Sequence, residues 1–234
     1  MNNSILTLVT FLPAVGALAL MLMPRNDRVL RWAALVVSIA TFGFSLYLPI
    51  YFDHGTSGFQ FDINRNWIGQ TIHYHMGADG ISMWLVLLTT LLVPVSVLVS
   101  WKSIHDRVKE FFVLLLLLEM AMIGVFLSLD MFLFYVFWEA TLIPMALLIG
   151  MYGHERRVYA AVKFFLYTMV ASVFMLAAII WLYVHSGSFD YATIREWIRL
   201  SSLHGTGSST ALQWLFLGFF VAFAVKVPLF PLHT

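Results

Sequence analysis

Seven apolar stretches, each of about 20 residues, divide this chain and constrain its fold more than any other feature. They lie at about 5–23, 29–50, 81–101, 111–129, 131–151, 158–185 and 211–230. A helix needs about 20 apolar residues to cross the ~30 Å hydrocarbon core of a bilayer. The chain is also 61% hydrophobic and only 11% charged, which is too apolar for a soluble domain of 234 residues. The sequence therefore predicts an all-α, polytopic membrane helix bundle with about seven transmembrane helices.

The distribution of lysine and arginine predicts which helix ends face the cytoplasm. The first apolar stretch has no basic segment before it and no Ala-x-Ala site after it, so we expect a retained helix rather than a cleaved signal peptide. Cytoplasmic connections of membrane proteins carry an excess of Lys and Arg. With the N-terminus outside, the cytoplasmic connections hold Arg25, Arg28, Arg31, Lys102, Arg107, Lys109, Arg156 and Arg157, and the opposite side holds Arg65, Arg195 and Arg199. We therefore expect a periplasmic N-terminus and two long periplasmic connections, Asp53–Gly80 and Ser186–Thr210.

Composition excludes several classes of function. The chain has no cysteine, so it holds no disulfide, iron–sulfur cluster or thiolate metal site. Its net charge is +1, and it has neither a clustered basic run nor a soluble domain, which argues against a nucleic-acid partner. His54, His73 and His75 share one polar connection, but their spacing is a weak metal signal and we expect them to be solvated.

Glu119, Glu139, Lys163 and Lys226 are ionisable residues inside the predicted membrane helices. Glu119 comes eleven residues before the turn at Asp130 and Glu139 nine residues after it, which puts both roughly 13–17 Å deep, near the midplane. Lys226 lies fifteen residues into the seventh stretch, at or past the middle of the membrane. Lys163 follows a basic turn by about six residues, so its long stem can reach the interface.

Each of these residues has a structural and a functional interpretation. A buried carboxyl such as Glu139 or Glu119 can serve as a hydrogen bond between helices, and Lys226 can be a simple counter-ion. Intramembrane ionisable residues are nevertheless functional by default. A carboxylate that approaches or leaves a desolvated lysine changes how tightly the lysine holds its proton, and about 1.36 kcal/mol alters that affinity tenfold. The sequence favours Glu139 as the modulator and Lys226 as the proton carrier.

The last residues predict an interrupted helix. Pro228 and Pro231 follow Lys226 closely, and each lacks a backbone donor and disrupts the preceding turn. Broken helices in membranes are tolerated beside protein or a water-lined cavity, and they mark ion sites in transporters. The sequence then stops at Thr234 without a polar tail, which we expect of a fragment.

Four segments together resemble a known family. "FLFYVFWEATLIPMALLIGMYG", "YHMGADGISMWLVLLTTLL", "YAAVKFFLYT" and "KVPLFPLHT" are similar to signature segments of chain M of the proton-translocating NADH:quinone oxidoreductase, respiratory complex I. That family has fourteen helices in two inverted repeats. The resemblance implies that this sequence corresponds to the N-terminal half of such an antiporter-like fold and ends inside its broken seventh helix.

The resemblance also implies roles for individual residues. The glutamate of the family's "FWE" falls on Glu139, and the lysine before its proline break falls on Lys226. The helix-six lysine falls on Lys163 and the histidine after the break on His233. Glu119 matches no motif of the family, although its predicted depth keeps it a candidate for proton translocation. The family's second lysine, on helix eight, has no counterpart in this sequence.

The same resemblance implies domains, cofactors and partners. Residues 1–234 are expected to form one antiporter-like membrane domain, in which 1–110 hold helices one to three with a periplasmic loop at 51–80, and 111–234 begin the proton-translocating bundle. No cofactor is expected on this chain, because NADH, FMN, Fe–S clusters and quinone belong to other subunits. The expected partners are the other membrane-arm subunits, protons and the lipid bilayer of a bacterial inner membrane. Two alternatives remain: a subunit of a multisubunit cation/proton antiporter or membrane-bound hydrogenase, and a scaffold that translocates nothing.

Overall fold

A computed structural model describes residues 4–56, 58–203 and 209–232, and these residues are mainly helical. The elements are α1 (Ile5–Leu22), α2 (Asp27–Ser45), α3 (Tyr47–Tyr51), β1 (Gln60–Ile68), β2 (Ile72–Ala78), α4 (Ser82–Val99), α5 (Val108–Leu127), α6 (Met131–Ala140), α7 (Leu142–Tyr152), α8 (Arg157–Ser186), α9 (Tyr191–Leu203) and α10 (Ser209–Lys226). The predicted polytopic helix bundle is confirmed.

Six helical segments are long and apolar enough to cross a membrane, and they correspond to the first six predicted stretches. Asp27–Tyr51 combines α2 and α3, and Met131–Tyr152 combines α6 and α7. The seventh predicted stretch forms α10, whose apolar part, Thr210–Lys226, is shorter. α10 ends at Lys226, so the predicted interruption beside this lysine is confirmed.

The chain forms two compact units, and the first comprises the residues up to Ile63 together with Met76–Ser128. Its helices α1, α2, α4 and α5 pack around buried apolar side chains such as Leu20, Phe112 and Leu116. Gly16 lets α1 approach α2 closely, because a Cβ at this position would lie 2.4 Å from a methyl carbon of Val37. Small residues of this kind allow membrane helices to pack without a hydrophobic driving force.

Basic side chains join helix ends within this first unit. The Lys109 ammonium donates to the carbonyls of Met21 and Met23, where α1 ends. The Arg31 guanidinium donates to the Ile104 carbonyl over 2.9 Å. The last carbonyls of a helix have no partner within it, so Lys109 stabilises the end of α1. Arg31 instead joins α2 to the connection after α4. Lys109 and Arg31 belong to the group of eight that the sequence analysis puts on the cytoplasmic side.

The second unit comprises Asn64–His75 and the residues from Leu129 onward, and its centre is the long helix α8. Both α7 and α10 pack against α8. Gly218 brings α10 close to α8, because a Cβ there would lie 2.9 Å from the Phe174 carbonyl oxygen. The predicted functional division at residue 110 stays a prediction, since the structural division into units does not test it.

The two long polar connections contain elements that the sequence analysis did not predict. Asp53–Gly80 holds the antiparallel hairpin of β1 and β2, which turns at Gly69 with a positive φ of 64°. A non-glycine side chain is disfavoured in this conformation. Ser186–Thr210 holds the amphipathic helix α9, in which Ile194 is buried. Both elements are short and mixed in polarity, so neither produces a span-like signal.

Two aspartates anchor the hairpin to helix ends in the second unit. Asp130 pairs with Asp190 in an antiparallel bridge, and the Met131 amide donates to the Phe189 carbonyl over 2.9 Å. His75 Nδ1 contacts Asp190 Oδ1 at 2.8 Å, and only 12% of the His75 side chain is exposed. The expectation that His75 is a solvated loop residue was therefore wrong, because a carboxylate 115 positions away in sequence binds it.

The carboxylate of Asp190 is expected to make this region sensitive to acid. Burial would raise the pKa of Asp190, but hydrogen bonds from Thr193 and His75, with the charge of His75, hold it below its ordinary value. A lowered pKa stabilises the fold above the ordinary value near 4, and this stability is lost as the pH falls through the folded-state pKa. Asp190→Asn should therefore lower the melting temperature at pH 7 by about 2–4 °C.

The measurement is thermal unfolding of the wild type and the Asp190→Asn variant in detergent at pH 7 and at pH 3. The difference between the two proteins should shrink at pH 3, because the stability that the wild-type carboxylate contributes is lost as the pH falls below its ordinary pKa. Asp130 faces Asp190 across the bridge and is unchanged in both proteins. A difference of the same size at both pH values would show that the ionised Asp190 carboxylate does not contribute this stability.

Candidate proton-translocation site

Lys226 lies at the carboxyl end of α10 and contacts the end of α6. Its ammonium donates to the Thr141 hydroxyl over 2.7 Å and to the Trp138 carbonyl over 3.5 Å. The nitrogen also lies 3.8 Å from the centre of the Trp138 ring, which is a cation–π contact. The rings of Trp138 and Phe223, 4.9 Å apart and edge to face, pack α6 against α10 beside this contact. The lysine is therefore held by two neighbouring residues on one helix end.

Thr141 occupies a break in the helix that carries Glu139. α6 ends at Ala140 and α7 begins at Leu142, because Pro144 has no N–H to donate to the carbonyl of Ala140. The Thr141 hydroxyl donates to the Trp138 carbonyl over 2.7 Å, which leaves an oxygen lone pair for Lys226. The sequence analysis treated residues 131–151 as one helix and missed this break. Pro144 three residues after Thr141 was the available signal.

Glu139 follows Trp138 directly and is half-buried. Its Oε1 atom is buried and accepts no hydrogen bond from the residues that the structure describes. Glu139 acts electrostatically on Lys226, but these two described residues form no ion pair at contact distance. The predicted pair is thus brought into one neighbourhood, with the lysine bound to Thr141 rather than to the carboxylate.

Tyr135 extends the neighbourhood of Glu139 toward α8. It lies one helical turn before Glu139 on α6, so both side chains share a face. Its hydroxyl lies near Ser172 of α8 and near Glu139. Tyr135 and Thr141 are polar residues of this site that the sequence analysis did not identify. Neither carries a charge, so composition gave no signal for them.

The remaining predicted residues lie elsewhere. Glu119 belongs to the first unit, where it is fully buried on α5 and neither carboxylate oxygen has a hydrogen-bond partner among the described residues. Lys163 is exposed on α8 in an open groove of about 440 Å³ lined by Val162 and Leu166. In the described part of the chain, no hydrogen bond or ion pair joins Lys163 to the Glu139–Lys226 neighbourhood. His233 lies outside the described residues.

The contact between Lys226 and Thr141 gives a testable prediction. Thr141→Val keeps the shape of the side chain but removes the acceptor for Lys226, and a hydrogen bond to a charged group contributes about 1.5–3 kcal/mol. If the site translocates protons, we expect pumping by the assembled complex to fall about tenfold. Thr141→Ser restores the hydroxyl and should recover most of the pumping. Equal pumping by the Val variant and the wild type would show that this contact is dispensable.

The fold defines an integral, multi-pass membrane protein with two half-buried ionisable residues, Glu139 and Lys226, beside a helix break. Residues 128–234 match the transmembrane family described as NADH:quinone oxidoreductase/Mrp antiporter. The resemblance carried by the motifs is confirmed by the sequence identity between this chain and NADH-quinone oxidoreductase subunit M of Rhodobacter capsulatus. That protein is 42% identical over 99% of this chain and 47% of its own length. The chain thus spans about half the length of the curated relatives it matches.

Two solved structures share the fold. A chain of the archaeal membrane-bound sulfane sulfur reductase, a respiratory membrane complex, superposes with a TM-score of 0.79 at 21% identity, over 98% of this chain and 35% of that one. A chain of respiratory complex I from Thermus thermophilus superposes with a TM-score of 0.70 at 20% identity, over 96% of this chain and 45% of that one. At such identities these structures show a common fold and no more.

Proposed function

We propose that this chain is part of a proton-translocating membrane subunit of an NADH:quinone oxidoreductase. The observation that carries the proposal is the position of Lys226, which lies beside a helix break, within the electrostatic reach of Glu139 but bound to the Thr141 hydroxyl. Subunit M of Rhodobacter capsulatus, similar over nearly the whole chain, supports the choice of complex.

The proposed mechanism uses two arrangements of the lysine. In the arrangement described here, the Lys226 ammonium is shared between the Thr141 hydroxyl and the Trp138 ring. In the other, Glu139 approaches Lys226 and forms a direct or water-bridged ion pair. The energy of such a pair depends steeply on distance in a medium of low dielectric. Movement between the two arrangements would therefore change the proton affinity of Lys226 and let it take up and release a proton.

Quinone reduction elsewhere in the complex would drive this movement. We propose that NADH, FMN, the Fe–S clusters and quinone are bound by other subunits and that the other membrane-arm subunits are the partners of this chain. Its own residues would then only hold and move protons. Lys163, His233 and Glu119 are proposed as further members of the proton path, on the weaker grounds of membrane depth or motif.

Two other functions remain candidates. The family that matches residues 128–234 includes Mrp antiporters, so a cation/proton antiporter subunit is one alternative. A scaffold is the other alternative. The observation in its favour is that Lys226 already has partners in Thr141 and Trp138, as a purely structural lysine would. The test is proton translocation by the whole reconstituted complex, with variants of the pair measured beside subunit content. A scaffold subunit permits full pumping whenever the complex assembles.

Orientation in a bacterial inner membrane is proposed from the basic residues and can be tested by labelling. The chain has no native cysteine, so single cysteines report without background. Gln70→Cys in the hairpin turn should react with a membrane-impermeant maleimide from the periplasm. Lys102→Cys should react only after the membrane is permeabilised, because positive connections stay inside. The reverse pattern would invert the topology.

A further inference from the structure

We propose that Asp130 and Asp190, with the hairpin residues His73 and His75, form a clasp that positions α6 and thereby Glu139. Asp130 is the central positioning residue, and His75 is the residue through which the hairpin binds Asp190. The inference rests on the proposed function for the role of Glu139, but its structural part stands on the contacts alone. We call these four residues the aspartate clasp.

Asp130 binds a helix end and the hairpin with its two carboxylate oxygens. Oδ1 accepts the amides of Phe132 and Leu133, at 2.9 and 3.0 Å, and so caps the first turn of α6. Oδ2 accepts the amide of His73 at 3.0 Å. The residue is only 1% exposed. A carboxylate at this depth is stabilised by three backbone donors, and loss of the His73 amide would leave Oδ2 without a partner among the described residues.

Asp190 repeats this arrangement at α9. Oδ2 accepts the amide and the hydroxyl of Thr193, both at 2.9 Å, at the start of α9. Oδ1 contacts His75 Nδ1 at 2.8 Å. The backbone bridge between Asp130 and Asp190 joins the segments before α6 and α9, and the amide of Tyr191 donates to the Leu129 carbonyl over 2.9 Å. One hairpin strand is thus fastened to the starts of two helices.

The break at Thr141 makes this anchorage important for Glu139. α6 is ten residues long, about 15 Å, and it is not continuous with α7. Thr141 interrupts the regular helix between α6 and α7, so the N-terminus of α6 and its side contacts contribute to its orientation. Glu139 lies in its last turn together with Trp138, which contacts Lys226. A tilt at Asp130 moves both residues relative to Lys226.

The test measures hydrogen exchange and proton pumping in the complete complex. Asp130→Asn offers one oxygen acceptor in place of two, so it can cap α6 or bind the His73 amide but not both. We expect the amides of Phe132 and Leu133 to exchange about twofold to tenfold faster, the range set by loss of one intramolecular hydrogen bond. Protons pumped per NADH should fall while subunit content stays normal.

A second pair of variants keeps the test valid if Asp130→Asn does not assemble. His75→Leu removes the contact with Asp190, whereas His75→Gln keeps a side-chain N–H that reaches toward the same oxygen. The Leu variant should speed exchange at the first turns of α6 and α9 and lower pumping, and the Gln variant should restore both. Glu196→Gln breaks an exposed ion pair with Arg199 on α9 and is the matched control, for which no change is expected.

Unchanged exchange at α6 in both Asp130→Asn and His75→Leu overturns the clasp. Faster exchange with undiminished pumping overturns its positioning role. The proposed function has its own readout, because Glu139→Gln is measured in the same preparations. If Glu139→Gln pumps normally, the proposed function fails, while the exchange data still decide whether the clasp holds α6.

Discussion

Glu139→Gln is expected to reduce proton pumping by about tenfold or more while the complex still assembles. The substitution keeps the shape and hydrogen-bonding reach of the side chain but removes its charge. A change of about 1.36 kcal/mol already alters a proton affinity tenfold, and the interaction of two charges in a membrane interior exceeds this value. Because Glu139 Oε1 has no hydrogen-bond partner among the described residues, the amide disrupts no contact described here.

The measurement is the pH gradient formed by reconstituted complex during NADH oxidation, beside subunit content on native gels. Glu155→Gln is a suitable control, because Glu155 is an exposed carboxylate in the short connection after α7. Full pumping by Glu139→Gln would remove the modulator from the proposed mechanism. Loss of assembly by the same variant would favour a scaffold.

Lys226→Ala is expected to abolish pumping with the complex assembled, and Lys226→Arg is expected to pump poorly as well. Arginine stays protonated, with a pKa above about 12, so it cannot cycle a proton at neutral pH. Its guanidinium can nevertheless donate to the Thr141 hydroxyl and stack on Trp138, as Lys226 does. The Arg variant thus retains the structural contacts and loses the proton-carrying ability.

A scaffold predicts the opposite order for these variants. Arginine would replace Lys226 as a cation with little loss, whereas alanine would remove the cation together with its contacts to Thr141 and Trp138 and impair assembly. Assembly failure in Lys226→Ala combined with normal pumping in Lys226→Arg would therefore falsify proton transfer by this lysine. Lys102→Ala, at an exposed lysine in the connection after α4, controls for a change of net charge alone.

Much of the candidate site was predictable because its main residues are chemically conspicuous. Glu139 and Lys226 stand out as ionisable residues in apolar stretches, and the motifs that contain them lie within the part of the chain that the family model matches. The prolines after Lys226 predicted where α10 ends. The partner of the lysine was not predictable in this way, because Thr141 is neutral and 85 positions away in sequence.

The sequence by itself determined the six membrane-spanning segments, the helical class and the two central charges. These are local properties, since the length and polarity of a run decide whether it can cross a bilayer. Only the tertiary structure decided that Lys226 binds Thr141 and Trp138, and that Asp190 holds His75. Such contacts join residues 85–115 positions apart. They depend on how helix ends meet, which no local pattern specifies.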